Sequence, residues 1–305
     1  MSAWKAGRGL CGRSSPIAAP SAATTASSCR HPGRGRRTMP ELSLNGARIS
    51  YTDSGDGQPL LLLHGWIGSG ALWSLVAPWL SERFRVIVPD LPGHGDSSIP
   101  AGFAFDLDGF SRFIEDVRAS LGLSILNLVG HSMGGSIAIY YASVFPQRVG
   151  RLVLIDSPAS TKALNRQSRL PFLERLLGLV YPLWGPGIVT TLIKSSVRHP
   201  GSLPPDFLDA AVAQACLIKK EALVETTRLV RSLDLDRRVA AIEAPVLLIQ
   251  GDRDPSVKPA EASRLLGMFG DARLHVVRDC GHCPNYEYPD QVVELIEGFM
   301  GPGVS

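Results

Sequence analysis

From Leu42 onward the chain alternates apolar runs of four to eight residues with amphipathic stretches of helical length. This alternation constrains the fold more than any other feature. A strand that reads as a continuous apolar run must be buried on both faces, the condition of a mainly parallel sheet with helices above and below it. The expected strands are Ala47 to Thr52, Leu60 to Leu63, Arg85 to Val88, Ile125 to Val129, Arg151 to Ile155, Val246 to Gln250 and Arg273 to Val277. Helices fit Ala71 to Ser81, Leu107 to Leu121, Met133 to Phe145, Pro259 to Phe269 and Pro289 to Met300, with Pro146 as a stop signal.

The alternation breaks off at Ser157 and resumes at Ala244. The expected organisation is thus an α/β core of residues 40–156 and 244–305 with a helical cap, 157–243, inserted into it. The cap carries 12 basic and 8 acidic residues, whereas the rest of the chain after the leader is acidic. Within it, Leu176 to Ile193 is uncharged but interrupted by Gly178, Pro182, Gly185, Pro186 and Gly187. Broken helical bonds need substitute partners in lipid, so a lid over an apolar pocket is favoured over an interfacial membrane contact, and both over a span.

The chemistry-bearing stretch is Val129-Gly130-His131-Ser132-Met133-Gly134-Gly135, a G-x-S-x-G pattern between an expected strand and an expected helix. In that context a strained turn lifts the serine hydroxyl above the sheet, and Gly130 and Gly134 lack side chains that would collide where strand and helix meet. A serine needs a base, and the base an acid to orient it. Asp254 follows the expected strand Val246 to Gln250, and His282 follows Arg273 to Val277. Both thus sit at the carboxyl edge, where open α/β sheets place their ligand sites. Asp252 and Asp156 compete for the acid's role.

These motifs, with His64-Gly65-Trp66, Asp90-Leu91-Pro92-Gly93-His94-Gly95-Asp96-Ser97, Gly251-Asp252-Arg253-Asp254 and Cys280-Gly281-His282, make the chain from Leu42 to Met300 resemble the α/β-hydrolase family, in its serine esterase and lipase-like branch. The resemblance implies an eight-stranded-type sheet, a triad of Ser132, Asp254 and His282, and an oxyanion hole from the backbone amides of Trp66 and Met133, with Gly65 at the first turn. It also implies cofactor-free cleavage of a small-molecule carboxylic ester through an acyl-enzyme. Dehalogenases and epoxide hydrolases of this fold use an aspartate nucleophile, so Ser132 disfavours both. Two alternatives are carried. One is a C–C bond hydrolase of ring-cleavage diketones, which the run from Asp271 to His282 resembles although Cys283 stands where that group has Trp. The other is a small-molecule receptor or non-catalytic member of the fold.

Each further candidate has a structural reading beside it. His64 and His94 lie in sharp turns and are expected to hold loop backbone, His131 to support the elbow, and Asp90 to pin its turn. Cys280-Gly281-His282-Cys283 spells a redox motif, yet no thioredoxin-like unit surrounds it. Tyr181, Trp184, Phe172 and Leu176 are expected to face either the substrate pocket or the cap's own core. No dinucleotide or phosphate-loop motif and no metal-spaced cluster is present, so neither a cofactor nor a metal is expected.

The excess of positive charge sits in the leader. Residues 1–39 hold Lys5, Arg8, Arg13, Arg30, Arg34, Arg36 and Arg37 with no acid, so the net charge of +3 hides an acidic remainder and a nucleic-acid partner is not expected. The leader lacks the apolar region of a secretory signal. It reads as a disordered organellar transit peptide (mitochondrion or chloroplast), or as a non-native extension before a start at Met39, which would make the protein cytoplasmic. Five cysteines, Cys11, Cys29, Cys216, Cys280 and Cys283, do not suggest a disulfide framework.

Overall fold

The computed structural model describes residues 41–165, 170 and 172–301. The readings of residues 1–39, including Cys11 and Cys29, fall outside the described residues. Eight strands form one sheet in the order β1-β2-β4-β3-β5-β6-β7-β8. They are β1 Glu41–Leu44, β2 Ala47–Ser54, β3 Gln58–Leu63, β4 Phe84–Pro89, β5 Leu126–His131, β6 Val149–Ile155, β7 Val246–Gly251 and β8 Ala272–Val277. The β1/β2 and β2/β4 pairs are antiparallel, and every pair from β4 to β8 is parallel.

The apolar runs are explained by burial on both faces. In β3, Leu61 and Leu63 enter one core while Leu60 and Leu62 enter the other, and β6 divides Leu152 and Leu154 from Val153 and Ile155 in the same way. One face is covered by α2 (Leu107–Ser120) and α3 (Met133–Val144), the opposite face by α1 (Ala77–Leu80) and the C-terminal helix, Pro289–Met300. Each fully buried leucine contributes about 1.5–3 kcal/mol.

Two expectations need correction. The expected helix Ala71 to Ser81 is a 3₁₀ turn, Gly70–Trp73, followed by the short α1. Pro78 has no N–H to donate back into a preceding turn, so a helix can restart only with Pro78 in its first turn. Strand β1 precedes the expected first strand and closes on β2 through Asn45-Gly46, both at positive φ (49° and 77°), the residues a tight hairpin turn requires.

Between β6 and β7 run α4 (Leu173–Val180), α5 (Pro186–Ser196), α6 (Pro205–Ala215), α7 (Lys220–Val230) and α8 (Asp236–Val239). The uncharged run is split between α4, a 3₁₀ turn and α5, and among the described residues no helix is long and apolar enough to cross a membrane. Helix α4 packs mainly on α7 and leaves Leu176, Leu179 and Leu183 beyond it exposed. After β7 come α9 (Ala260–Leu266), then β8, α10 (Pro284–Glu287) and α11 (Pro289–Met300).

Candidate active site

Ser132 occupies the single residue between β5 and α3, at φ 52° and ψ −119°. This conformation is costly for a residue with a Cβ and marks a strained functional turn. The flanking glycines are there for contact. A Cβ on Gly134 would lie 2.3 Å from the Leu63 carbonyl oxygen, and one on Gly130 would lie 2.4 Å from Gly135 Cα. Strand and helix therefore approach as closely as the turn demands only with glycine at both positions.

His282 follows β8 and Asp254 follows β7, and the structure brings both to Ser132. His282 Nε2 lies 2.9 Å from Ser132 Oγ and His282 Nδ1 lies 2.8 Å from Asp254 Oδ2. Asp254 is an acceptor, so Nδ1 carries the proton and Nε2 presents its lone pair to the hydroxyl. The second Asp254 oxygen accepts the backbone N–H groups of Ser256 (2.7 Å) and Val257 (2.9 Å), and the Gln250 amide donates to Oδ2 at 3.3 Å. These donors hold the carboxylate in place and were not foreseen, although a turn directly after an Asp is a known source of such bonds.

Asp156, at φ 46° after β6, accepts the Gly251 N–H at 2.8 Å through Oδ1, while Oδ2 is buried without a partner. Burial first, and then the charge of Asp254, push its carboxyl well above the usual range. Of the two carboxyls, Asp254 and not Asp156 accepts the His282 Nδ1–H hydrogen bond. Donor atoms of Asp156, Asp254 and His282 lie within 4.8 Å of one another, but a metal there would have to break the His282–Asp254 bond. The half-buried Asp252 instead accepts the Cys280 N–H at 3.3 Å.

The Gly65-Trp66 turn lies against the serine: a Cβ on Gly65 would come within 3.0 Å of His131 Nδ1 and 3.2 Å of Ser132 Cβ. The Gly65 carbonyl accepts from His64 Nδ1 (2.9 Å) and from the Gly68 N–H (3.1 Å). A trans peptide places the following N–H opposite its carbonyl, so these two bonds also set the direction of the Trp66 N–H. Met133 opens α3, where the N–H has no acceptor within the helix. Ile67, the next residue in the turn, sits at φ 52°, a strained value for a β-branched side chain. The Trp66 indole donates to Thr227 Oγ1 on α7 at 3.0 Å, a tie across 161 positions that no local pattern could reveal.

Three buried histidines are held neutral. His131 Nε2–H donates to the His282 carbonyl at 2.8 Å, fixing the loop that carries His282, and burial pushes its pKa down to about 3. His64 accepts the Leu91 N–H, and His94 donates to the Pro92 carbonyl. Burial lowers both, His94 to about 4. Asp90 accepts from the Gly70 and Asp96 N–H groups and so pins its turn.

Ser132 and His282 open into a cavity of about 370 Å³. Its walls are mostly apolar: Trp66, Ile67 and Leu72 from the first loops, Leu173 and Leu177 from α4, Leu192 and Ile193 from α5, and Val230 at the end of α7. Among the described lining residues Arg231 is the one Lys or Arg, and none is Asp or Glu. Tyr181 and Trp184 are corrected here. Neither lines the cavity; Tyr181 donates to the Ile218 carbonyl (2.7 Å) and Trp184 to the Ala215 carbonyl (3.3 Å), so both brace the helical insertion from within. Phe172 and Leu176 face solvent instead. Cys280 and Cys283 are free thiols that burial pushes up, opposite to the low pKa a redox cysteine needs.

Comparison with known proteins places this geometry in context. A family model for the alpha/beta hydrolase fold matches residues 58–289. The 2-hydroxy-6-oxononadienedioate/2-hydroxy-6-oxononatrienedioate hydrolase of Escherichia coli K12 is 30% identical over 281 residues, covering 83% of this chain and 91% of that protein. An esterase from Exiguobacterium antarcticum superposes with a TM-score of 0.75 at 21% identity, over 86% of this chain and 99% of its own. The meta-cleavage product hydrolase CumD of Pseudomonas fluorescens IP01 gives 0.72 at 24%, over 86% and 97%. At these identities the two solved structures speak to the fold alone.

Proposed function

The chain belongs to the α/β-hydrolase fold family, and from that premise we propose that it is a serine hydrolase cleaving a carboxylic ester with a small or medium apolar acyl or alcohol part. The observation that carries this reading is the Ser132–His282–Asp254 chain of hydrogen bonds, 2.9 and 2.8 Å long, opening into an apolar cavity. His282 takes the Ser132 proton as Oγ attacks the ester carbonyl. The oxyanion rests on the Trp66 and Met133 amides, and Asp254 stabilises the imidazolium. His282 then gives its proton to the leaving alkoxide. Water, activated by the same histidine, releases the acid from the acyl-enzyme. The insertion that supplies α4, α5 and α7 to the cavity acts as a lid.

A C–C bond hydrolase is the second reading, favoured by the E. coli relative and by the run from Asp271 to His282. The cavity supports the ester reading over it. The relative's named substrates are dioates with two carboxylates, whereas among the described residues lining this cavity the one guanidinium, that of Arg231, is already paired with Glu174. The test is intact mass after a fluorophosphonate probe on the protein starting at Met39, followed by a panel of esters and diketones. One adduct in wild type, absent in Ser132→Ala and His282→Ala, with turnover of apolar esters, is the expected result. Diketone cleavage without ester cleavage replaces the ester reading with the second. A folded wild type that takes no adduct removes both in favour of ligand binding alone.

A further inference from the structure

We infer that Glu287 is a positioning residue that ties the loop of the base to the helical insertion, so that His282 is in register with Ser132 only while the end of α5 is seated. This deepens the ester reading by giving its site a form of regulation, and rests on it. Glu287 is the last residue of α10, a single turn opened by Pro284 and closed by the Glu287 N–H on the Cys283 carbonyl (2.9 Å). The turn brings its side chain back to the residue before the base. There Oε1 accepts the Gly281 N–H at 2.9 Å, and the Cys280 thiol donates to the same oxygen at 3.7 Å. Oε2 accepts the N–H of Arg198, two residues beyond α5, at 2.7 Å.

Ser196, the last residue of α5, completes the junction, since its carbonyl accepts the His282 N–H at 2.7 Å. Segments 196–198 and 281–282 are thus joined directly and again through one carboxylate. They are also packed without clearance. A Cβ on Gly281 would lie 2.6 Å from the Ser196 carbonyl oxygen, 2.7 Å from Arg198 N and 2.8 Å from Glu287 Oε1. Glycine is required here by the approach of the other segment and not by a positive φ. Further out, the Arg198 guanidinium and the His199 ring both bond Asp279, each at 2.9 Å.

Two N–H groups from separate segments converge on one side chain, and a carboxylate meets both because it offers two acceptors and no donor. Glutamine in its place turns an NH₂ toward one of them. The His282 ring is bonded at both ends, to Ser132 at 2.9 Å and to Asp254 at 2.8 Å, so a shift of its backbone acts on both bonds. Its carbonyl is held by His131 from the sheet domain and its N–H by Ser196 from the insertion. Leu192 and Ile193 of α5 line the cavity, so a ligand that displaces α5 also moves the acceptor of the His282 N–H. Misplacing a reacting group by about 1 Å costs roughly 10²-fold in rate.

The experiment compares wild type with Glu287→Gln, with Glu287→Asp, and with Asp106→Ala, which removes the α2 cap on the Gly109 N–H and controls for general loss of stability. In Glu287→Gln, kcat for p-nitrophenyl butyrate and the fluorophosphonate labelling rate are expected to fall together by about 10- to 100-fold. KM and the midpoint of the pH–rate profile should stay, and Glu287→Asp, with both acceptors on a shorter arm, should recover part of the loss. Hydrogen exchange read by mass spectrometry should quicken about tenfold in two peptides at once, one around residues 196–199 and one around 281–282. An unchanged kcat, an equal kcat loss in Asp106→Ala, a displaced pH midpoint with kcat kept, or quickening confined to the 281–282 peptide each overturns the tie. If Glu287→Gln does not fold, Glu287→Asp carries the same comparison with a smaller expected loss. If wild type cleaves no ester and takes no label, the ester reading falls. The low-field proton resonance of His282 Nδ1–H, which reports the bond to Asp254 without turnover, then decides the tie: weakened in Glu287→Gln together with the two peptides it upholds it, and unchanged it overturns it.

Discussion

Replacing Gly65 by alanine tests whether the Trp66 amide is a working half of the oxyanion hole. The added Cβ meets His131 Nδ1 at 3.0 Å and Ser132 Cβ at 3.2 Å, where ordinary contact begins at 3.4 Å, so overlaps of 0.4 and 0.2 Å must be relieved. The φ of Gly65 is not positive, and alanine adopts it without strain. Neither contact can yield freely. His131 is held by its bond to the His282 carbonyl and Ser132 by its place in the elbow, so the Gly65-Trp66 peptide moves away by a few tenths of an ångström. Overpacking of this size costs about 1–2 kcal/mol in stability. Full removal of one oxyanion donor costs roughly 10²–10³ in kcat, and lengthening one costs less. We expect kcat for a soluble ester such as p-nitrophenyl butyrate to fall about 10- to 100-fold, with KM little changed and fluorophosphonate labelling slowed in parallel. The control is Gly134→Ala, whose Cβ would lie 2.3 Å from the Leu63 carbonyl oxygen. Two backbones must separate there, and thermal unfolding is expected to drop well below that of Gly65→Ala. A Gly65→Ala enzyme that is fully folded and within twofold of wild-type kcat refutes the role given to the Trp66 amide.

Three shorter expectations follow from the same geometry. Asp254→Asn loses about 10³- to 10⁴-fold in kcat through the wrong His282 tautomer, but it also removes the charge that helps keep Asp156 protonated; residual activity should therefore rise with pH in a rate profile, and the rise should vanish in the Asp156→Asn, Asp254→Asn double variant. Folding stability should fall on acidification. The unfolded chain protonates its histidines near pH 6.5 while buried His94 and His131 resist until about 4 and about 3, so their contribution is present above pH 6.5 and is lost at up to about 1.4 kcal/mol per pH unit for each as pH drops between those limits; urea unfolding from pH 7 to 4.5 reads the slope, and His131→Asn should flatten it. Thr227→Val removes the acceptor of the Trp66 indole, bonded at 3.0 Å, and should lower stability by about 1 kcal/mol and loosen the Trp66 wall, seen as a shift in indole fluorescence together with a higher KM.

The sheet was legible because its strands are buried on both sides, so that Leu60 to Leu63 reads as strand in any window; the hairpin strand before it was hidden because Glu41 to Leu44 is half exposed, with Asn45-Gly46 its one clear signal. The positions of Ser132, Asp254 and His282 were legible for a different reason: each lies in the loop that follows a strand, and parallel strands deliver their carboxyl ends to one edge. Position alone did not separate Asp156 from Asp254, since both follow a strand of that edge; the Gly251-Asp252-Arg253-Asp254 motif favoured Asp254, and it is Asp254 that the His282 Nδ1–H meets. The helical insertion defeated periodicity altogether. Helix α4 is apolar on two sides, with Leu173 and Leu177 toward the cavity and Leu176 and Leu179 toward solvent, so a pattern of apolar residues could not say which of them meets a substrate.

That division of legibility has a physical consequence for specificity. Most bonds that hold the groups of the proposed reaction lie inside the sheet domain: Asp254 is held by the turn after β7, the His282 carbonyl by His131 and the Gly65 carbonyl by His64, while the insertion adds one, from the His282 N–H to the Ser196 carbonyl at the end of α5 (2.7 Å). Much of what the substrate's chain would touch is supplied by α4, α5 and α7, whose ties to the sheet domain include single long-range contacts such as Thr227 with Trp66. Substitutions in the insertion that leave the Ser196 backbone in place can therefore reshape the cavity without disturbing the hydrogen-bonded chain. If specificity is separable in this way, variants of Leu173, Leu177 and Leu192 to Ala should change the ratio of rates between short and long acyl esters while the fluorophosphonate labelling rate, which reads the serine alone, stays near wild type. A matching collapse of both readouts would show instead that the insertion holds the reacting groups in place.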